Sequence, residues 1–273
     1  MSALTTPSRG SRFGAVADAL RAVKHRVEDM TFRERVEEHD FAGRRLKVTI
    51  ADKTAAEWYG VDCPRLKDFE LLAGRGLNSG ALVFDVGAHQ GVVAMMLAGE
   101  VGAAGRVIAV EATARNAEIA RRNAALNDVG NLEVLHAAAA RVDGPVLFSQ
   151  KRNGAVALAA GAGVQSVDGV SIDTLSARYG FPGLVYMDIE GYELEALKGA
   201  PRTLASRASW FIEVHGDDEL SKFGARNADV PAVFDEGFDL YWSPDNATTA
   251  FAPLARNDAV PADRFFLIAI RKA

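Results

Sequence analysis

The stretch LVFDVGAHQG, Leu82 to Gly91, decides the fold. An apolar run passes through one aspartate, Asp85, into a turn bounded by Gly87 and Gly91. Uninterrupted Leu, Val and Phe side chains read as a strand buried on both faces, and a helical stretch around 91–100 follows the turn. In open α/β sheets such a strand-to-helix turn lies where ligands bind, outside the carboxyl ends of the strands. The spacing is GxxxG and not the GxGxxG of dinucleotide sites, so the neighbours of the turn must say which ligand it takes. Asp85 argues against a pyrophosphate, because like charges a few Å apart cost on the order of 1–4 kcal/mol at effective dielectric constants of 80 to 20. S-adenosylmethionine has no phosphate and carries an ammonium and a sulfonium, which suit a carboxylate at this place.

Outward from the turn, the apolar runs ALVFDV, RVIAVE, LEVLHA, GLVYMDI and SWFIEVH alternate with helical stretches around 91–100, 114–126, 173–179, 192–198 and 229–236. Crossovers of that length put helices on both faces of a parallel sheet. The expected fold class is α/β, Rossmann-like, with a mostly parallel doubly wound sheet. Two late runs, DLYWS near 239–243 and RFFLIAIRK near 264–272, read as closing strands, antiparallel at one edge. Glu111 ends the second strand twenty residues beyond Gly91, where an acid accepts both hydrogen bonds of a ribose diol. The third strand ends in HAAAA, His136 to Ala140, whose small side chains, Ala138 among them, leave a flat slot for adenine.

Before the sheet, Phe13 to Val36 alternates charged and apolar residues at helical spacing, with Val16, Leu20, Val23 and Val27 on one stripe. An amphipathic helix is expected there, its apolar face docked on the main domain or on a second copy, which makes a homodimer an expectation. The acids Glu28, Asp29, Glu34, Glu37 and Glu38 count against membrane binding by that helix. Arg45 to Ile50 reads as a strand, EWYG at Glu57 to Gly60 as punctuation before a helix near Pro64 to Ala73, and Trp58 and Tyr59 as packing groups. The domains are thus expected at 1–75, an N-terminal extension on the substrate or oligomer side, and at 76–273, the cofactor-binding domain. Asn153 to Val167, the longest uncharged run, reads as a loop or flap.

The chain of 273 residues, 49% of them hydrophobic, can bury an enzyme-sized core. A formal charge of -5 gives no general attraction to nucleic acid or anionic lipid. The first residues lack the apolar core of a signal peptide, no run is long enough to span a bilayer, and Cys63 is the only cysteine. A cytoplasmic protein without disulfides is the simplest expectation.

The segment YMDIEGYELEALKGAP, Tyr186 to Pro201, puts charge at the end of a buried strand. Asp188 and Glu190, two apart, share a face of the extended chain. Glu193 and Glu195 suit the positive end of the helix that follows, and Gly199 with Pro201 ends it. One strand later Glu213 and His215 share a face at the same rim.

These positions resemble the FkbM-type methyltransferases, a family of S-adenosylmethionine-dependent enzymes with a class I methyltransferase fold, many of which methylate hydroxyl groups of polyketides or sugars. The resemblance covers residues 81–216 through DVGAHQG, the strand ending at Glu111, SIDTL at Ser171 to Leu175 and DIEGYELEALKGA. It implies cofactor binding by Asp85, Gly87, Gly91 and Glu111, with Ala88 inside the same motif, and places Asp188 beside the methyl donor. The chain departs from the family at His89, Ala112 and Tyr186, where asparagine, proline and lysine are common.

The implied reaction is transfer of the sulfonium methyl to a hydroxyl of a small-molecule or glycan acceptor. An aliphatic hydroxyl needs a base, worth roughly 10²- to 10⁴-fold, and Asp188, Glu190, Glu213 and His215 are the candidate catalytic residues, His215 or Asp188 as the base. A second version of the chemistry uses a divalent cation held by Asp188, Glu190 and Glu213. Three acids at a rim do not define a coordination shell, so the metal-free version is expected and no metal ligand is assigned. A binding module without transfer and a nitrogen methyltransferase are the alternatives; no NPPY-like segment stands at the fourth strand to favour the latter.

Overall fold

Leu82–Val86 does form a strand, and its position in the sheet explains its composition. In the computed structural model, which describes residues 32–149, 154–161 and 163–272, this strand has a neighbour on either side and a layer over each face. In chain order the strands are β1 (Arg35–Phe41), β2 (Arg44–Ile50), β3 (Leu82–Val86), β4 (Arg106–Glu111), β5 (Leu132–His136), β6 (Ala138–Ala139) and β7 (Gly144–Ser149). They continue as β8 (Ala155–Val156), β9 (Val164–Val170), β10 (Leu184–Met187), β11 (Ser209–Val214), β12 (Phe238–Ser243), β13 (Ala252–Pro253) and β14 (Phe265–Arg271).

The main sheet has eight strands in the order β13-β12-β14-β11-β10-β3-β4-β5. From β11 across to β5 all pairs are parallel, whereas β14 runs antiparallel between β11 and β12. The chain winds from β3 outward through β4 to β5, then crosses back to lay β10 against the other side of β3. This is the Rossmann-like class I methyltransferase topology, and it opens a crevice where the winding reverses. The two late runs thus lie antiparallel at one end of the sheet, with β14 inserted between β11 and β12.

Side-chain alternation fills two core layers. Phe84, Val86, Ile108, Val110, Val185, Met187, Trp210 and Ile212 pack on one face. Val83, Val107, Ala109, Leu184, Tyr186 and Phe211 pack on the other. On that second face lies the helix Val92–Val101, apolar nearly all round, because the β1–β2 hairpin covers what the sheet does not. Phe41, Val48 and Ile50 of the hairpin share its core, and Asn123 of the helix Ala114–Leu126 and Asn127, which caps it, bond the β2 backbone at Thr49 and Lys47.

Several sequence expectations change. Most of the amphipathic helix expected over Phe13 to Val36 lies outside the described residues. Its last residues do not continue a helix: Arg35 to Phe41, with Glu37 and Glu38, form β1. Cross-strand pairing with β2 wins there, with Arg45 of β2 donating to Glu38 across the hairpin while Arg35 donates to Glu37 along β1 itself. Glu57 to Tyr59 are not punctuation but the end of the helix Lys53–Tyr59, capped by Asp52. The run Asn153 to Val167, expected as a loop, contributes Ala155–Val156 and the start of β9 to a four-stranded sheet, β6-β9-β7-β8. The helix expected at 229–236 is two short 3₁₀ turns, Asn227–Asp229 and Pro231–Val233, because Pro231 supplies no amide for a continuing α-helix.

Candidate functional site

The crevice is a cleft, open to solvent, at the carboxyl ends of β3, β4 and β10. Gly87 is the first residue past β3. Its φ of +93° belongs to the region that favours glycine, and a Cβ there would stand 1.7 Å from the Asp188 carbonyl oxygen. The immediate neighbour that demands glycine is thus the backbone leaving β10, pressed against the turn. Gly91 caps the following helix at φ +79°, and a Cβ on it would meet the Ala120 methyl at 2.8 Å. Both glycines serve close chain approach, and Gly87 also lines the cleft.

Glu111 ends β4 inside the cleft and is buried. Its carboxylate accepts the His89 amide at 2.9 Å and the Thr113 amide at 2.6 Å, one on each oxygen. Burial lifts its pKa to about 7 against those hydrogen bonds, which lower it. Asp85 lies under the turn, not on the cleft wall, and one of its oxygens is buried without a partner. Burial, then the Glu111 charge, pushes it to about 7 as well. Ala138 lies on the wall with Ala137, Ala139, Val110, Phe148 and Val156, an apolar slot. Ala88 is buried behind the turn.

Three aromatic residues that the sequence marked only as packing or as a departure complete the mouth. Trp58 lines the cleft, 45% exposed, its ring 5.2 Å from that of His89, so it is a wall of the site as well as a packing group. Buried Tyr59 hydrogen-bonds His89 Nδ1 at 2.9 Å. Burial lowers His89 to about 4 and keeps the ring neutral.

Across the cleft, Asp188 and Glu190 line the wall where β10 ends. Glu190 has φ +56°, strained for a side-chain-bearing residue. Beyond them His215, from the end of β11, points Nε2 at Asp188 Oδ1 (3.4 Å), Glu190 Oε2 (3.5 Å) and Glu213 Oε1 (3.7 Å). Arg264 bonds Glu213 at 2.7 Å. The residue missed by sequence reasoning is Glu193. It does not merely suit a helix end: it is fully buried, accepts the Gly191 amide, and stands 2.8 Å from His215 Nδ1. Glu195, by contrast, pairs with Lys198 on the surface. Burial alone would lower His215, but the Glu193 hydrogen bond and the charges of Glu193, Asp188 and Glu213 lift it to about 10. Desolvation and the charge of Glu213 raise Asp188 well above the usual carboxylate range.

Among the described lining residues none is a lysine or arginine. A phosphate would find no lysine or arginine among these described residues. A nucleoside with a positively charged tail fits: an apolar slot, an acid at the cleft wall for a diol, and beneath the turn a carboxylate with one buried, unpartnered oxygen. No helix of the described residues is long and apolar enough to cross a membrane.

No curated protein matches the sequence. Among solved structures, the FkbM methyltransferase of Methylobacillus flagellatus KT is 18% identical at a TM-score of 0.43, over 69% of this chain and 43% of that one. The present chain therefore spans less than half of that relative. A SAM-dependent methyltransferase from Aquifex aeolicus is 16% identical at a TM-score of 0.44, over 81% of this chain and 94% of that one. A putative rRNA methylase from Clostridium thermocellum is 10% identical at a TM-score of 0.48, over 76% and 94%. The Methyltransferase FkbM domain matches residues 85–236, from the carboxylate under the glycine turn past the acid and histidine rim. With more than half of its length so matched, the chain belongs to the FkbM methyltransferase family.

Proposed function

We propose that the protein binds S-adenosylmethionine in this cleft and methylates a hydroxyl oxygen of a small-molecule or sugar acceptor. The observation that carries the oxygen reading is the rim of Asp188, Glu190, Glu213 and His215 directly beside the nucleoside cleft. A group dense in carboxylates suits an acceptor that must lose a proton. When bound, S-adenosylmethionine supplies an electrophilic methyl whose bonding electron pair stays on sulfur as the new O–C bond forms.

The residues divide the remaining work. Glu111 holds the ribose diol, Ala138 and its neighbours take the adenine, and the Gly87 turn over Asp85 receives the charged tail. His215, fixed at Nδ1 by Glu193, orients the acids instead of serving as the base. The acceptor's proton passes to Glu190, whose carboxylate lines the cleft. Trp58, at the mouth, shields the acceptor from water. Alignment of the two reactants supplies much of the remaining acceleration.

The test is incubation with methyl-labelled cofactor and fractionated small-molecule and glycan extracts, with the labelled product identified by NMR. An O-methyl carbon is the expected signal. Label confined to nitrogen would overturn the oxygen reading.

A pH dependence follows from Glu111. Its carboxyl holds a proton up to about pH 7, whereas a diol donates to the ionised form. Cofactor affinity is therefore expected to rise about tenfold from pH 6 to pH 8, with a proton released on binding. The sign for the unliganded fold is opposite. Carboxyls raised to about 7 stabilise below the pKa of the unfolded chain, and that stability is lost as pH rises through about 7. Calorimetry in buffers of different ionisation enthalpy reads the proton, and Glu111→Gln should flatten the profile. An unchanged slope in that variant would remove Glu111 from the diol role.

A further inference from the structure

His215 stands at the centre of a group of acids, none of which comes closer than 3.4 Å to its Nε2. Its side chain is 9% exposed, Nδ1 is engaged by the buried Glu193 carboxylate, and Nε2 therefore faces Asp188, Glu190 and Glu213. The separations there, 3.4, 3.5 and 3.7 Å, exceed the roughly 2.7–2.9 Å of a charged N–H···O bond. The shortest of them, from Asp188, reaches the spacing of atoms that share an ion, and the Glu213 one lies just beyond it. Ligands about 2.1 Å from a small dication, at octahedral to tetrahedral angles, stand about 3.0–3.4 Å apart. One atom each from Asp188, Glu213 and His215 lies within 4.8 Å of the others.

Charge points the same way. Three carboxylates converge on one imidazole nitrogen, and the Arg264 guanidinium stands 2.7 Å from Glu213. A carboxylate on the far nitrogen of a histidine is also the arrangement that fixes the ring of a metal ligand.

We infer that Asp188, Glu213 and His215 Nε2 hold one divalent cation of the manganese class, with Glu193 as the positioning residue that fixes the His215 ring. The inference rests on the hydroxyl-methylation reading and names how the acceptor oxygen is activated. Two carboxylate oxygens with one imidazole suit manganese better than the all-oxygen shells of calcium or magnesium. The set differs from the all-acid one considered from sequence: histidine replaces Glu190, which remains to take the proton of a hydroxyl polarised by the ion.

The full-length chain, stripped with chelator and returned to buffer, is titrated with Mn²⁺ alone while electron paramagnetic resonance reads the free ion. S-adenosylmethionine binding is measured in parallel by calorimetry. One Mn²⁺ per chain is expected, with a ¹⁴N coupling from imidazole in the pulsed spectrum. Glu213→Gln should weaken it at least tenfold. Glu193→Ala should weaken it about 10- to 100-fold, while Glu193→Gln, which keeps an acceptor for Nδ1–H, retains most of the affinity and the coupling. Absence of a bound Mn²⁺, or a bound ion without the ¹⁴N coupling, overturns the cation site even if cofactor still binds. Failure of the cofactor to bind, whatever the ion does, overturns the reading on which the site rests.

Discussion

Replacing Gly87 by valine is expected to abolish measurable cofactor binding, a loss of at least about 100-fold. A Cβ at this position would lie 1.7 Å from the Asp188 carbonyl oxygen and 3.0 Å from the Ile189 side chain. Neither the strand end nor the turn can absorb this by rotating a side chain, because the nearest atom is backbone. One of the two must move by more than an ångström, and misplacement of about 1 Å in such a site costs on the order of 10²-fold. The positive φ adds strain of about 1–3 kcal/mol for a residue other than glycine. Gly80 separates the two effects: its φ is +81° but nothing lies within 4 Å of its Cβ position. Gly80→Ala should lose some stability and keep its cofactor affinity, whereas Gly87→Val loses affinity. Calorimetry with melting curves on both variants decides it; an unaltered affinity in Gly87→Val would show that the turn is not the cofactor's.

Asp188→Asn, which disturbs the group that aligns the acceptor, should lower kcat about 10²-fold while leaving the melting temperature unchanged or higher. Loss of activity without loss of stability is the signature of a group held at a cost for function. Asp188 is partly buried, its side chain 42% exposed, and set among the charges of Glu213, Glu190 and Glu193, which together outweigh the help it gets from His215. Its pKa is raised, so at neutral pH the ionised group destabilises the fold, and an isosteric amide removes that repulsion. A buried structural ion pair behaves oppositely, costing about 3–5 kcal/mol when one partner is removed. Turnover assays and thermal melts on the same preparation separate the two. Near-native turnover would free Asp188 of any part in the reaction, and a collapse of the melting temperature would make it structural.

The central strands were legible because burial on both faces leaves no choice of residue type: β3, β4, β10 and β11 are apolar runs and lie in the middle of the sheet. The helix Ala114–Leu126 coincides with its expected range, since its apolar period is undisturbed by proline or glycine. β1 was not legible. Its residues Arg35 to Asp40 are mostly polar and owe their conformation to pairing with β2, a contact distant from local propensity. The site divides in the same way. Gly87, Glu111 and Asp188 stand at strand ends, where topology alone brings them to one cleft. Trp58 and Tyr59 come from a helix outside the alternating pattern, and no spacing announces that the fold carries them to His89. Glu193 was visible as an acid near a helix start, but its contact with His215 depends on the crossing of two strand ends.

The claim beneath all of this is that the cleft takes a cationic sulfonium nucleoside and not an anionic nucleotide. Calorimetric titration of the unmodified chain with S-adenosylmethionine, with NAD and with ATP tests it most directly. One S-adenosylmethionine per chain, with no heat from either phosphate-bearing ligand, is the predicted result; saturable binding of NAD or ATP with none of S-adenosylmethionine would contradict it.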